Sequence, residues 1–310
     1  SAGAVDGFTQ TADRAQISGL AIANYAGAGI YAGGGDGPVL RGNLIGTDAT
    51  GMLDRGNILG VGVGAGVSGG IIGGYLPHHR NVISGNVGGI ICSNDYATIS
   101  GNYIGTTADG SGNLGNNGSG ILAQGFSSRI EQNTIRFNAA RGIGVSGASS
   151  RVSIRANTVF DNGGLAIDLG NDGVTANDPD DADSGPNELQ NFPVLTRART
   201  TLGAGTLIEG TLDRPPGAAA LDYQLDFYSN ASCDPLGHGE GEAEFVTATI
   251  SLANGSSESF SLWLPTTFLP TGRAITATAT ATAGPDITSE FSACVLSTQV
   301  SETVYANGFE

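Results

Sequence analysis

A glycine or similar small residue followed by a branched aliphatic recurs in GAGIYA, ILGVGV, GGIIC, GSGILA, RGIGV and GGLAID. The aliphatic positions are Ile30, Val61, Ile90, Ile121, Ile143 and Leu165, spaced by 31, 29, 31, 22 and 22 residues. A second mark runs in step: an asparagine with an aliphatic two residues on, at Asn43/Ile45, Asn81/Ile83, Asn102/Ile104, Asn133/Ile135 and Asn157/Val159. The short unit is therefore 22 residues, and the longer units carry an insertion of eight or nine. Two insertions are nearly the same polar loop, GTDATGMLDRGN (46–57) and GTTADGSGNLGN (105–116), and should project from the core. A fixed repeat of this length signals a stack of like units.

Within each unit the apolar alternation has period two and runs only three to five residues, too short for a helical repeat. The physical solution is a solenoid of parallel strands, each coil hydrogen-bonded to the next at about 4.8 Å. Ile and Val stack inside, and Asn or Gly is expected at left-handed turn positions. Six or seven coils would make a rod of roughly 30 Å. Gly, Asn, Thr and Ser dominate the chain and argue against long helices.

The composition changes near residue 195. Residues 1–195 hold 40 of the 51 Gly and 18 of the 21 Asn. The expected division is a coil domain over 1–195, a β-sandwich over 196–299 and a tail over 300–310. Candidate sandwich strands are 206–212, 221–230, 244–252, 257–264, 274–282 and 289–296, with Thr outward and aliphatics inward. Trp263 is expected in the core, with a sugar-stacking platform as the alternative.

GNLIGTDATG, RNVISGN, GNYIGTTADG and the stretch from Asp161 to Leu195 resemble secreted bacterial right-handed parallel β-helix repeat proteins. The resemblance covers residues 4–195 and implies an all-β fold. It says little about activity, because the same helix serves lyases, hydrolases, adhesins and fibres. SNASCDPLGHGEGEAEF (229–245) and TSEFSACVL (288–296) are similar to the Ig-like domain that often follows such helices. That resemblance implies a Cys233–Cys294 disulfide, which fits an oxidising compartment. The third cysteine, Cys92, reads as a buried small apolar residue or as one half of an intermolecular disulfide.

The net charge of −16 excludes a basic nucleic-acid-binding stripe. No run of residues is long and apolar enough to span a membrane. All 13 basic residues are Arg, so lysine Schiff-base and P-loop chemistry are absent. No HExxH, CxxC or nucleophile elbow is present. GHGEG, with His238, is similar to a motif of pectin-degrading hydrolases but falls outside the coils and reads as a loop. His78 and His79 sit in LPHHRN, a turn-like segment. Arg129, Arg136, Arg141, Arg151 and Arg155 recur in consecutive coils, either as a catalytic stripe or as a solvated ladder. Asp161 and Asp168 give no evident acid pair for glycoside hydrolysis.

Asp178, Asp180, Asp181 and Asp183 crowd into the acidic stretch 171–191 and form the candidate site for a structural calcium ion, the alternative being a solvated linker. The expected function is an extracellular structural or adhesive protein able to serve as a filament subunit. Its open coil ends would associate end to end, with residues 1–10 or 297–310 packing on a neighbour. The alternatives are a lyase or hydrolase acting on acidic polysaccharide, and a non-catalytic carbohydrate-binding protein. The Ser at position 1 reads as a processed secreted chain or a fragment.

Overall fold

The computed structural model describes residues 5–147, 151–216, 220–252, 257–282 and 286–301. The proposed tail beyond Ser301 and the first four residues lie outside them. The first part is a parallel β-solenoid of three sheets, with seven, six and six strands. Six coils run from Phe8 to Phe160, and Ile167–Leu169 opens a seventh.

Each sheet carries an interior column of aliphatics. The first holds Ile30, Val61, Ile90, Ile121, Ile143 and Ile167 in register. The second holds Ile17, Leu40, Ile72, Ile99, Ile130 and Ile154. The third holds Ile22, Ile45, Ile83, Ile104, Ile135 and Val159. Each column is removed from water beyond the half-buried Ile17 of the first coil, and each buried aliphatic is worth about 2 kcal/mol. Leu165, expected in the first column, is displaced by Ile167. The segment joining Val145 to Val152 is two residues longer than that joining Ala123 to Ser128, which shifts the register of the sixth coil. Cys92 occupies an interior column with Val63 and Ala123 and is 1% exposed. It is the buried apolar residue, not an intermolecular bridge.

Asparagines fill two corners of the solenoid. At one corner Asn43, Asn81, Asn102, Asn133 and Asn157 form a ladder, each Nδ2 donating to the next Oδ1 at 2.9–3.1 Å. At the other, Asn57, Asn86, Asn116, Asn138 and Asn162 repeat the arrangement at 2.8–3.1 Å. In both ladders each Asn backbone N–H also donates to the next Oδ1, so buried polar groups pair along the stack. The left-handed position belongs mostly to the residue before the ladder Asn: Gly42 (φ 64), Gly101 (φ 66), Gln132 (φ 55) and Ala156 (φ 53). The side-chain ladder, not a turn conformation, is what requires asparagine there.

The two similar loops project as expected and lie against each other. The Ala108 N–H donates to Gly51 O at 2.9 Å, and Gly51 leaves room for the Ala108 methyl.

The second part is a β-sandwich. One sheet orders Ser257–Leu264, Gly205–Asp213, Val194–Thr201 and Thr298–Val300; the other orders Glu244–Leu252, Leu221–Asn230, Ala274–Ala281 and Ile287–Thr288. Four sequence expectations change. Val194–Thr201 is a strand the reading missed. The expected strand 289–296 shrinks to Val295–Leu296, with Ile287–Thr288 pairing just ahead of it, because Glu290 and Phe291 turn toward the coil. Ala274–Ala281 is buried on both faces, so its threonines do not face water. Trp263, expected in the core, is 49% exposed. It sits on an edge strand opposite Leu207, on the face away from the buried Phe260.

Candidate functional site

The last coil does not end in open edges. Each of its three sheets is closed by groups from the linker or the sandwich. In the first sheet the Leu169 N–H donates to Glu290 Oε1 at 2.8 Å, and Glu290 Oε2 accepts the Thr175 N–H at 2.9 Å. In the second, the Ile154 N–H donates to Thr288 Oγ1 and the Val152 N–H to Asn187 Oδ1. In the third, Val159 and Gly241 exchange two backbone hydrogen bonds, and the Asp161 N–H donates to Glu240 Oε1. Tyr228 and Phe291, ring centroids 5.1 Å apart, continue the apolar core of the coil into the sandwich. Arg155 reaches the fully buried Asp226 at 3.1 Å. The expectation of an open C-terminal end is thus overturned: the sandwich supplies the acceptors that a further coil would have supplied. Burial raises the Glu290 carboxyl to about 7, with Asp168 and Asp172 adding repulsion. Burial likewise raises Glu240 to about 7.

The acidic linker folds beside this junction. One carboxylate oxygen each from Asp178, Asp181 and Asp183 lies within 4.8 Å of the others. Asp178 accepts from the Ala182 N–H, and Asp181 Oδ1 accepts the Asn191 N–H at 2.8 Å. Asn191 also donates to Asp178 O, which ties the two arms of the linker together. Asp183 Oδ1 is buried without a hydrogen-bond partner. Burial, then the charges of Asp183, Asp178 and Asp213, raises Asp181 to about 7. Asp180, also expected in the site, stands outside the group; it takes a left-handed conformation (φ 67). Glu188 is committed to Arg151 at 2.6 Å. Three carboxylate oxygens at this spacing could each give one ligand to a hard divalent cation, of the roughly six to eight oxygens that calcium takes.

The arginines of the coil are not a stripe. Arg136 pairs with Asp161 and lies over Phe160, Arg141 pairs with Asp168, and Arg155 with Asp226. His238 packs edge-on against Phe192 and contacts Phe291 O, a loop position at the junction. The expected disulfide is present: Cys233 and Cys294 are bonded with Cα atoms 5.8 Å apart. Closing 61 residues is worth about 4 kcal/mol in the chain-entropy view.

The second asparagine ladder and the two capping glutamates were missed in the sequence. The ladder was visible in RNVISGN, QNTIRFN and ANTVFDN, whose final Asn recurs five residues after the first. Glu290 and Glu240 carry no such signal, because their partners lie more than 75 residues away.

The description "right handed beta helix region" matches residues 6–178. That is more than half of the chain, and the chain belongs to the right-handed β-helix family. A search of the curated proteins finds no match. No helix among the described residues is long and apolar enough to cross a membrane.

Proposed function

We propose that this chain is an extracellular β-helix rod, a structural or adhesive scaffold whose Ig-like sandwich serves as its terminal cap. The observation that carries this reading is the closure of all three sheets by sandwich and linker groups. A cap fixes where the rod stops and keeps its last edge from adding foreign strands. The Cys233–Cys294 disulfide supports a site of action outside a reducing cytosol. It joins two segments beside the same sheet, which differs from the inter-sheet disulfide of antibody domains.

The cap also bears on assembly. The sealed edge of the last coil offers no unpaired strand for another copy to extend, so copies should not stack through the sandwich end. Sedimentation should give a mass that does not grow with concentration through that end. Filaments in negative-stain images would overturn this reading.

Calcium is proposed as a structural ion held by Asp178, Asp181 and Asp183, easing their mutual repulsion beside the cap. Addition of calcium should raise the melting temperature and a chelator should lower it. An unchanged melting temperature under both treatments rules the ion out.

A further inference from the structure

We infer that the face of the sandwich turned away from the coil docks on a lipid surface, a bilayer of zwitterionic phospholipid. The inference goes beyond the scaffold reading, which uses only the opposite face of the sandwich.

Strand alternation separates the two faces. Leu221–Asn230 sends Leu225 and Phe227 into the sandwich core. It sends Tyr228 into the core of the coil and Asp226 to Arg155. The sheet of Gly205–Asp213 lies beyond the sandwich core, so its outer side chains point away from the rod. On that sheet Trp263 stands opposite Leu207, and Leu207 opposite Arg199. The three form one row with neighbours about 5 Å apart. Three connecting segments meet at the end of the row. The Leu202 N–H donates to Val300 O at 3.0 Å, the Leu269 N–H to Thr200 Oγ1 at 3.1 Å, and Gln299 Nε2 to Leu269 O at 2.9 Å. Trp263, Leu202 and Phe268 are each about half exposed, and Val300 is exposed beside them. The turns that carry them project: a Cβ at Gly203 or Gly272 would meet nothing within 4 Å. Single exposed apolar residues are ordinary, but a cluster of them marks a contact surface.

The charge of this end selects the partner. Residues 198–208, 259–273 and 293–301 build it and contain none of the chain's 29 Asp and Glu. They contain two cations, Arg199 and Arg273. Arg273 is committed to Glu242 and to Ser229 O. Arg199 makes no ion pair among the described residues, and its Nε is buried without a hydrogen-bond partner. A guanidinium without a counter-charge favours a phosphate oxygen. A tryptophan, with an apolar ring and one N–H donor, suits the boundary between headgroup and acyl chain. Projecting apolar turns beside an unpaired arginine therefore match a bilayer: the turns enter the acyl boundary, and Arg199 meets the phosphates. A net charge of −16 is repelled by an anionic surface, whereas a zwitterionic one offers the same phosphates without that repulsion.

Trp263 is the single Trp of the chain, so its emission reads the face directly. The full chain is titrated with phosphatidylcholine vesicles. The expected result is co-sedimentation with the vesicles, a blue shift of Trp263 emission, and quenching by lipids brominated in the acyl chain. Leu202→Ser and Phe268→Ser, both at exposed positions, should each weaken binding at least roughly tenfold. Ile58→Ser, at an exposed apolar position on the rod, should bind as the parent does. Vesicles with one-third phosphatidylserine should bind less tightly. Absence of co-sedimentation, an equal loss in Ile58→Ser, or tighter binding to the phosphatidylserine vesicles would overturn the inference. So would displacement by free phosphorylcholine, which assigns the face to a soluble phosphate. A blue shift on concentrating the chain without vesicles would overturn it too, because a second copy then covers the face.

Discussion

Glu290 holds two backbone amides on one carboxyl group while only 2% exposed, and its position sets a pH dependence. Its carboxyl rises from 4.5 in the unfolded chain to about 7 in the fold. A raised acid favours the folded state below its unfolded value, and that contribution is lost as pH rises through the folded value. Between pH 4.5 and pH 8 the chain should lose about 3 kcal/mol from this group. Glu290→Gln removes the ionisation, so its stability should vary less with pH than the parent's across that window. Denaturant unfolding at several pH values gives both slopes, and parallel slopes would contradict the assignment. Cys92 shows the same physics: burial pushes its thiol up to about 12, against a smaller opposing effect from a hydrogen bond with Asn94, which leaves it unreactive in the folded chain.

The asparagine ladders act as elements in their own right. Asn133 Oδ1 accepts from both the backbone N–H and the side-chain amide of Asn102, and Asn133 Nδ2 donates to Ile99 O and to Asn157 Oδ1. Asn133→Ala should cost on the order of 3 kcal/mol, because it strands buried donors and acceptors on both neighbouring coils. Asn117→Ala, at an exposed position outside both ladders, should change stability by less than about 0.5 kcal/mol. Urea melts of the two variants separate these outcomes; equal costs would remove the ladder from the account of stability. At this scale the sequence was most legible. Ile45, Ile83, Ile104, Ile135 and Val159 read as one column, and they form one. The reading lost register at Leu165 because it assumed a constant turn length, and periodicity cannot show a two-residue excess. It placed Trp263 inside because residue type alone does not tell which face of an edge strand meets the second sheet. Of the acidic site the segment was legible but not the selection: Asp180 stands outside the group while Asp181, with a similar left-handed backbone, belongs to it, a difference that charge density does not encode.

For the whole molecule, the sandwich and the coil share one stretch of core through Tyr228 and Phe291. They should therefore depend on one another. A chain ending before Val194 loses the acceptors for Leu169, Ile154 and Val159 and uncovers three strand edges. It should be recovered as aggregate or high-mass species in size-exclusion chromatography with light scattering. A soluble, folded monomer would show that the cap is dispensable. The junction resisted sequence reading because every bond in it joins segments far apart in the chain, and the groups involved have no spacing to repeat.

The two ladders recur at the same place in each coil after the first, while the cap touches only the last turns. Length and terminus are therefore independent variables in this molecule. Duplicating one 22-residue unit, such as 117–138, would set the same asparagines and aliphatics one step further along and move the sandwich outward by about 4.8 Å without altering its seat. A lineage or an engineer can treat the chain as a ruler whose end-piece stays fixed while graduations are added.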